Sequence, residues 1–294
     1  MHVAVTTPTG NVGSVAARLL VQAGLRPRLL LRDPGRLPED LAARCDVVVL
    51  DLQDPDAVVR ATAGLDALLW IQPDTGAEDP VEQHRVLART AARAVGENGI
   101  AHLVLQSSVG AEARHGFGEI DGLGAAEDEL SRATSGLTVL RCGYFFTNLL
   151  MDLPAIADGV LATTMPLDLP LAWVDPADVA TVAVLRLLAP APTQPVVQAV
   201  LGPHDLSHTQ AAEVLTAALG RPVRAERVDE EDVAGQLRAL GFAEPRVQAV
   251  VGMARGMASG FVPETPRDVT STTSSTLRGW ASAVLLPVLD PARG

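Results

Sequence analysis

The chain has 294 residues, 48% of them hydrophobic, and a formal net charge of −12, a size and composition suited to one large α/β domain or to a domain with a smaller lobe. The acidic surface argues against direct nucleic-acid binding, and no apolar stretch reaches the length of a membrane span. The first strand starts at His2, leaving no room for a signal peptide, and Cys45 and Cys142 form neither a disulfide framework nor a metal-ligand spacing, so a metal-free cytoplasmic protein is expected.

In chain order, Val3-Ala-Val-Thr-Thr-Pro-Thr-Gly-Asn-Val-Gly13 reads as a short strand that breaks into a glycine turn and opens an amphipathic helix over 11–23. That combination makes an anion site, because unpaired N–H groups and a positive dipole end face the turn. The dinucleotide fingerprint wants three glycines. Gly10 and Gly13 fill the second and third roles, and Thr7 stands where the first usually sits. Apolar runs at 28–31, 46–50, 65–71, 101–106 and 137–140 then alternate with helical patterns at 54–63, 81–97 and 124–133. Such alternation predicts parallel strands in a doubly wound Rossmann sheet. Asp54-Pro55 and Asp175-Pro176 are helix starts, the second leading a helix over 176–188. Beyond it the pattern predicts a strand at 196–200, a helix at 207–219, a strand at 223–228 and helices from 229, with a Ser/Thr-rich loop at 270–276. The expected division is a cofactor domain over 1–150 and a smaller α+β substrate lobe over 151–294, with helix 176–188 packing back on the first.

Ligands in this fold lie beyond the carboxyl ends of the strands. The turn supplies Thr7, Thr9, Gly10, Asn11 and Val12. The second strand ends Leu-Leu-Arg32-Asp33-Pro34, where an acid would bond the ribose of NAD and an arginine the 2′-phosphate of NADP. Arg32 is preferred here, hence NADP(H) over NAD(H). Further strand ends place Asp51 and Leu52, Gln72 and Pro73, Ser107 and Ser108, and Cys142, Gly143 and Tyr144 against the cofactor. All the basic residues except histidine are arginine, and Tyr144 is the one tyrosine. A Tyr-Lys catalytic pair is therefore impossible. His115 in its glycine-flanked loop, Ser108 and Tyr144 are the candidate catalytic groups. His115, Tyr144, Phe145, Phe146, Asn148 and Trp173 are expected to line the substrate cleft. Glu127 and Glu129 read as solvated or interface carboxylates.

The glycine turn, Leu-Arg-Asp-Pro, Ser107-Ser108 and above all Ser135-Gly-Leu-Thr-Val-Leu-Arg-Cys-Gly-Tyr-Phe-Phe-Thr-Asn-Leu149 resemble the NmrA-like, atypical short-chain dehydrogenase/reductase family. The resemblance implies a Rossmann domain, NADP(H) and a cleft between two lobes. Several active members of that family carry a lysine or histidine early in the helix before Ser135. This chain has Gly122-Leu123-Gly124 there. The resemblance implies an NADPH-dependent reductase of a small conjugated carbonyl or quinone-like molecule, such as a secondary metabolite. A non-catalytic NADP(H) sensor acting through a protein partner and a cofactor-retaining isomerase or lyase stay open, as does a homodimer.

Overall fold

Apolar runs become parallel strands when helices cover both faces of the sheet. In the computed structural model, which describes residues 1–290, the strands Val3–Thr6 (β1), Arg28–Leu31 (β2), Asp46–Val49 (β3), Ala67–Trp70 (β4), His102–Ser108 (β5) and Leu137–Cys142 (β6) follow this plan. Between them lie helices Gly13–Gln22 (α1), Glu39–Ala42 (α2), Pro55–Ala61 (α3), Pro80–Asn98 (α4) and Ile120–Ala133 (α5). The chain continues through Tyr144–Phe145 (β7), Leu153–Ala157 (α6), Val160–Thr163 (β8), Leu171–Val174 (β9), Pro176–Leu188 (α7) and Val196–Val200 (β10). It then forms Asp205–Leu206 (β11), His208–Leu219 (α8), Arg224–Arg227 (β12), Glu230–Ala239 (α9), Glu244–Met257 (α10), Leu277–Trp280 (α11) and Leu286–Leu289 (α12). No helix among the described residues is long and apolar enough to cross a membrane.

Seven strands form one parallel sheet in the order β10-β6-β5-β4-β1-β2-β3. The order reverses between β1 and β4, and a doubly wound sheet opens a crevice at such a point. Strand alternation divides the core. Val3, Val5, Leu29 and Leu31 face α1 and α7, whereas Ala4, Leu30, Leu68 and Trp70 face the layer of α3 and α4. Asp54, Asp79 and Asp175 each precede a proline and accept a backbone N–H of the helix they cap.

The structure departs from the sequence pattern at several points. Helix α5 starts at Ile120 rather than Gly124, and its two early glycines are packing sites. A Cβ on Gly124 would stand 2.5 Å from the Ala111 carbonyl oxygen, and one on Gly122 would stand 2.8 Å from His84. Strands β8 and β9 carry too few residues to show a period. The expected strand at 196–200, past residue 150, lies in the main sheet beside β6. The remaining strands form the small sheets β11-β9-β7 and β12-β8, over a core that includes Phe146, Ile156, Trp173, Leu215 and Trp280.

A buried charge cluster joins α5 to β5 and β6. Glu127 is only 2% exposed, a buried carboxylate where a solvated or interface one is expected. It is matched by Arg141, whose Nη2 lies 2.8 Å from Oε2, by Arg114 at 2.8 Å and by the Ser107 hydroxyl, which donates to Oε1 at 2.6 Å. Burial alone would raise the Glu127 pKa, but the bonds from Arg141, Ser107 and Arg114 hold it below the ordinary carboxylate value. Its stabilisation is thus present above the unfolded pKa and lost as pH falls through the lower folded value. Removing one partner of a buried pair strands the other charge. Glu127→Ala should cost about 3–5 kcal/mol in denaturant unfolding; a loss below 1 kcal/mol would show that the cluster does not bind these elements together.

Candidate functional site

The turn between β1 and α1 is fixed by hydroxyls. Thr6 Oγ1 donates to the Ile71 carbonyl oxygen at 2.9 Å and accepts the Ile71 N–H at 2.7 Å. Thr7 Oγ1 donates to the same carbonyl at 2.9 Å. These bonds hold Thr7 at φ 53°, the left-handed backbone that the missing first glycine would take freely. Gly10 N–H closes the turn onto the Thr7 carbonyl oxygen at 3.0 Å. The third glycine position is the tightest: a Cβ on Gly13 would stand 2.3 Å from that same oxygen. Helix α1 begins with no side-chain cap and no acid in its first turn, and its Ser14 N–H is taken by the Gly10 carbonyl oxygen at 3.0 Å, which ties the turn to the helix.

A cavity of about 440 Å³ opens beside the turn. It is lined by Thr7, Thr9 and Gly10, by Arg32, Asp33 and Arg36 after β2, by Asp51 and Leu52 after β3, and by Pro73, Asp74 and Thr75 after β4. Arg32 and Arg36 make no ion pair among the described residues, whereas Arg26, Arg93, Arg141 and Arg246 each meet a carboxylate. Asp33 instead caps the turn Pro34–Arg36 by accepting the Gly35 N–H at 3.0 Å, which brings Arg36 to the same wall as Arg32. Asp51 likewise accepts the Gln53 N–H at 2.9 Å. Burial would raise the Asp74 pKa, but Arg246 and the Gly76 N–H hold its carboxyl below the ordinary value. Arg36, Asp74 and Thr75 escaped the sequence reading. The Pro34-Gly35 turn was a usable signal for Arg36.

The other residues expected at the cofactor or substrate have varied surroundings. Asn11 reaches Thr147 Oγ1 at 3.2 Å, across to the segment after β7. Val12 and the Cys142 thiol are core groups, and burial pushes that thiol pKa up. Gly143 must lack a side chain, because a Cβ there would stand 2.0 Å from the Ala172 carbonyl oxygen. Gln72 is held by His84. The Ser107 hydroxyl donates a hydrogen bond to Glu127, and Ser108 Oγ donates to the Val109 carbonyl oxygen at 2.9 Å. His115 is exposed on its loop. Phe146 packs with Trp280 inside the lobe, and Phe145 packs against the α1 side of the sheet. Trp173, expected at the cleft, is 1% exposed and donates its indole N–H to the Leu206 carbonyl oxygen at 2.8 Å. It is an interior residue because β9 is the central strand of the three-stranded sheet.

Tyr144 is half-buried, its ring edge-to-face with Trp173 at 4.7 Å between centroids. Burial raises the phenol pKa, the Asn148 side chain partly offsets this, and Asp152 adds to it. A phenol so placed keeps its proton and acts as a hydrogen-bond donor. His208, buried beside both rings, has its pKa lowered to about 4 by desolvation and is neutral near pH 7.

The packing at the turn is directly testable. Gly13→Ala should force the turn from the helix, weaken dinucleotide binding at least tenfold and destabilise the fold by roughly 1–3 kcal/mol, as overpacking does. Gly10→Ala meets nothing nearer than Thr7 Cγ2 at 3.3 Å and the Thr7 carbonyl oxygen at 3.4 Å, and should do less. Equal effects in equilibrium titration would contradict this account of the turn.

Residues 8–185 match a family described as NAD(P)H-binding. The chain is 30% identical over 243 residues to an NAD(P)H azoreductase of Xenophilus azovorans, covering 82% of each. It is 30% identical to the (4-alkanoyl-5-oxo-2,5-dihydrofuran-3-yl)methyl phosphate reductase of Streptomyces griseus, covering 95% of this chain and 96% of the relative. In fold it is similar to an NADPH-dependent quinone oxidoreductase from Escherichia coli, with a TM-score of 0.74, 23% identity and coverage of 96% and 99%. With its strand–turn–helix at the head of a doubly wound sheet, the chain belongs to the NAD(P)H-binding family, in keeping with the NmrA-like resemblance of its sequence.

Proposed function

We propose that the protein is an NADPH-dependent reductase of small conjugated acceptors, quinones and related carbonyl or azo compounds, a class that includes aromatic secondary metabolites. The observation that carries this reading is the cavity at the sheet's switch point, on whose wall Arg32 and Arg36 make no ion pair among the described residues, in a chain of net charge −12. Two such guanidiniums suit a 2′-phosphate and disfavour an unphosphorylated ribose as the distinguishing ligand. The names of the relatives agree: one reduces azo compounds, another an alkanoyl furanone phosphate, and a protein of the same fold is a quinone oxidoreductase.

When bound, the nicotinamide supplies a hydride. The chain's part is binding and orientation. Thr7, Thr9, Gly10 and the first N–H groups of α1 receive the pyrophosphate, and Arg32 with Arg36 receives the 2′-phosphate. Asp51 and Leu52 bound the adenine end. With no lysine anywhere, no ammonium can lower the Tyr144 pKa. Tyr144 therefore donates a hydrogen bond to an acceptor oxygen or nitrogen rather than transferring a proton early. That arrangement favours acceptors whose reduced anions are stable, and the final proton comes from water.

Three outcomes test this. Purified protein should oxidise NADPH in the presence of quinones or azo dyes, one NADPH per two-electron acceptor. Oxidation no faster than the protein-free background across such a panel would overturn the reductase reading and leave a cofactor-sensing protein. Arg32→Ala and Arg36→Ala should each weaken NADPH by about 1.5–3 kcal/mol while leaving NADH nearly unchanged. Tyr144→Phe should lower kcat by roughly tenfold with NADPH affinity intact, less than the 10²–10⁴-fold of a lost general acid.

A further inference from the structure

The segment after β4 gives the cofactor cavity Pro73, Asp74 and Thr75. No residue from Gln72 to Asp79 is buried, so apolar packing does not decide its shape. It is fastened instead by two polar side chains that are not part of the cavity wall.

The first is His84 of α4, 6% exposed. Gln72 Nε2 donates to the His84 carbonyl oxygen at 3.1 Å, which leaves Gln72 Oε1 facing His84 Nδ1 at 2.6 Å. Because that oxygen only accepts, Nδ1 carries the proton. The other ring nitrogen stands 3.3 Å from Glu119 Oε1, just before α5. Gly122 makes the room, since a Cβ there would lie 2.8 Å from the His84 side chain. The second fastening is Arg246 of α10, which is 172 residues away from Asp74 in sequence. Its Nη2 donates to Asp74 Oδ2 at 2.5 Å and its Nη1 to the Ala77 carbonyl oxygen at 3.0 Å, while the guanidinium lies 5.5 Å from the Phe242 ring centroid. An isolated surface ion pair is worth little. Arg246 is 16% exposed and grips both a side chain and the backbone of one short segment. Asp74 relays that grip inward by accepting the Gly76 N–H at 2.8 Å.

We propose that Arg246 and His84 are positioning residues for the cofactor, holding the segment 72–77 in the shape that completes the cavity wall and so linking helix α10 to cofactor affinity. The proposal rests on the reading of this cavity as the NADP(H) site. Helix α10 has its own anchorage: Gly118 is packed so tightly that a Cβ there would lie 2.1 Å from the Ala249 carbonyl oxygen, and Glu119 N–H donates to that oxygen at 3.0 Å. Loss of the Arg246 head group therefore frees the segment without unseating the helix.

The test is titration of NADPH against the parent, Arg246→Met, Arg246→Lys, His84→Phe and Gln72→Leu, with hydrogen exchange followed over 72–79. Arg246→Met should raise the NADPH dissociation constant roughly threefold to thirtyfold and speed exchange in that segment, with kcat at saturating NADPH unchanged. Arg246→Lys, which keeps the charge and one contact, should recover part of the affinity. His84→Phe should act in the same direction, and Gln72→Leu tests that fastening if the histidine variant does not fold. Parental affinity in Arg246→Met, with only a lower melting temperature, would overturn the proposal and leave a structural tie. A parent that binds no NADPH would overturn the cavity reading as well.

Discussion

The close approach of Gly13 to the Thr7 carbonyl oxygen is the constraint on which the site depends. With 2.3 Å between that oxygen and the place a Cβ would take, β1 and α1 can cross this tightly only if residue 13 has no side chain. The crossing places the turn Thr7–Gly10, and with it the start of α1, beside the crevice where the sheet order reverses. Thr7 completes it in an unusual way. A threonine at positive φ is strained by about 1–3 kcal/mol, and here its hydroxyl and that of Thr6 are both bonded to Ile71, just past the end of β4. The strain of the turn is thus balanced by β4, whose end also shapes the cavity wall.

Charge is distributed with the same economy. The chain is acidic overall, and many of its arginines meet carboxylates, in the interior in the Glu127–Arg141 pair and at the surface in pairs such as Arg93 with Asp56 and Glu97. Arg32 and Arg36 make no ion pair among the described residues and share one cavity wall, the feature on which the proposed phosphate site rests. The buried pair has a different task. It takes up the Ser107 hydroxyl and, through Arg141 and Glu264, ties the sheet to the segment after α10. The cluster thereby cross-links the carboxyl ends of β5 and β6 through Ser107 and Arg141.

Much of this was legible in the sequence because it depends on local rules. Parallel strands announce themselves as apolar runs, Asp-Pro pairs as helix starts, and the glycine turn by its place between strand and helix. The residues that were misplaced depend on tertiary partners. Glu127 looks solvated on a helical wheel, and only the meeting of β6 with α5 buries it against Arg141. Of the aromatic run Tyr144-Phe145-Phe146, expected to line the cleft, Phe145 packs on the sheet and Phe146 enters the lobe core, whereas Tyr144 stays half-buried, edge-to-face with Trp173. Arg36 and Arg246 act at one cavity and its border, but a tight turn delivers the first and a helix from the far end of the chain the second. Gly122 read as the loss of a basic residue, whereas in the fold it is the space into which His84 enters.

The central claim, that this cavity reads the phosphorylated adenosine end of the cofactor, is tested most directly without any chemistry at the nicotinamide. Calorimetric titration of the unaltered protein with 2′,5′-ADP and with 5′-ADP isolates that end. The account predicts that 2′,5′-ADP binds about tenfold to a hundredfold more tightly at low salt, with the advantage shrinking as salt rises. Equal affinities, or tighter binding of 5′-ADP, would contradict it.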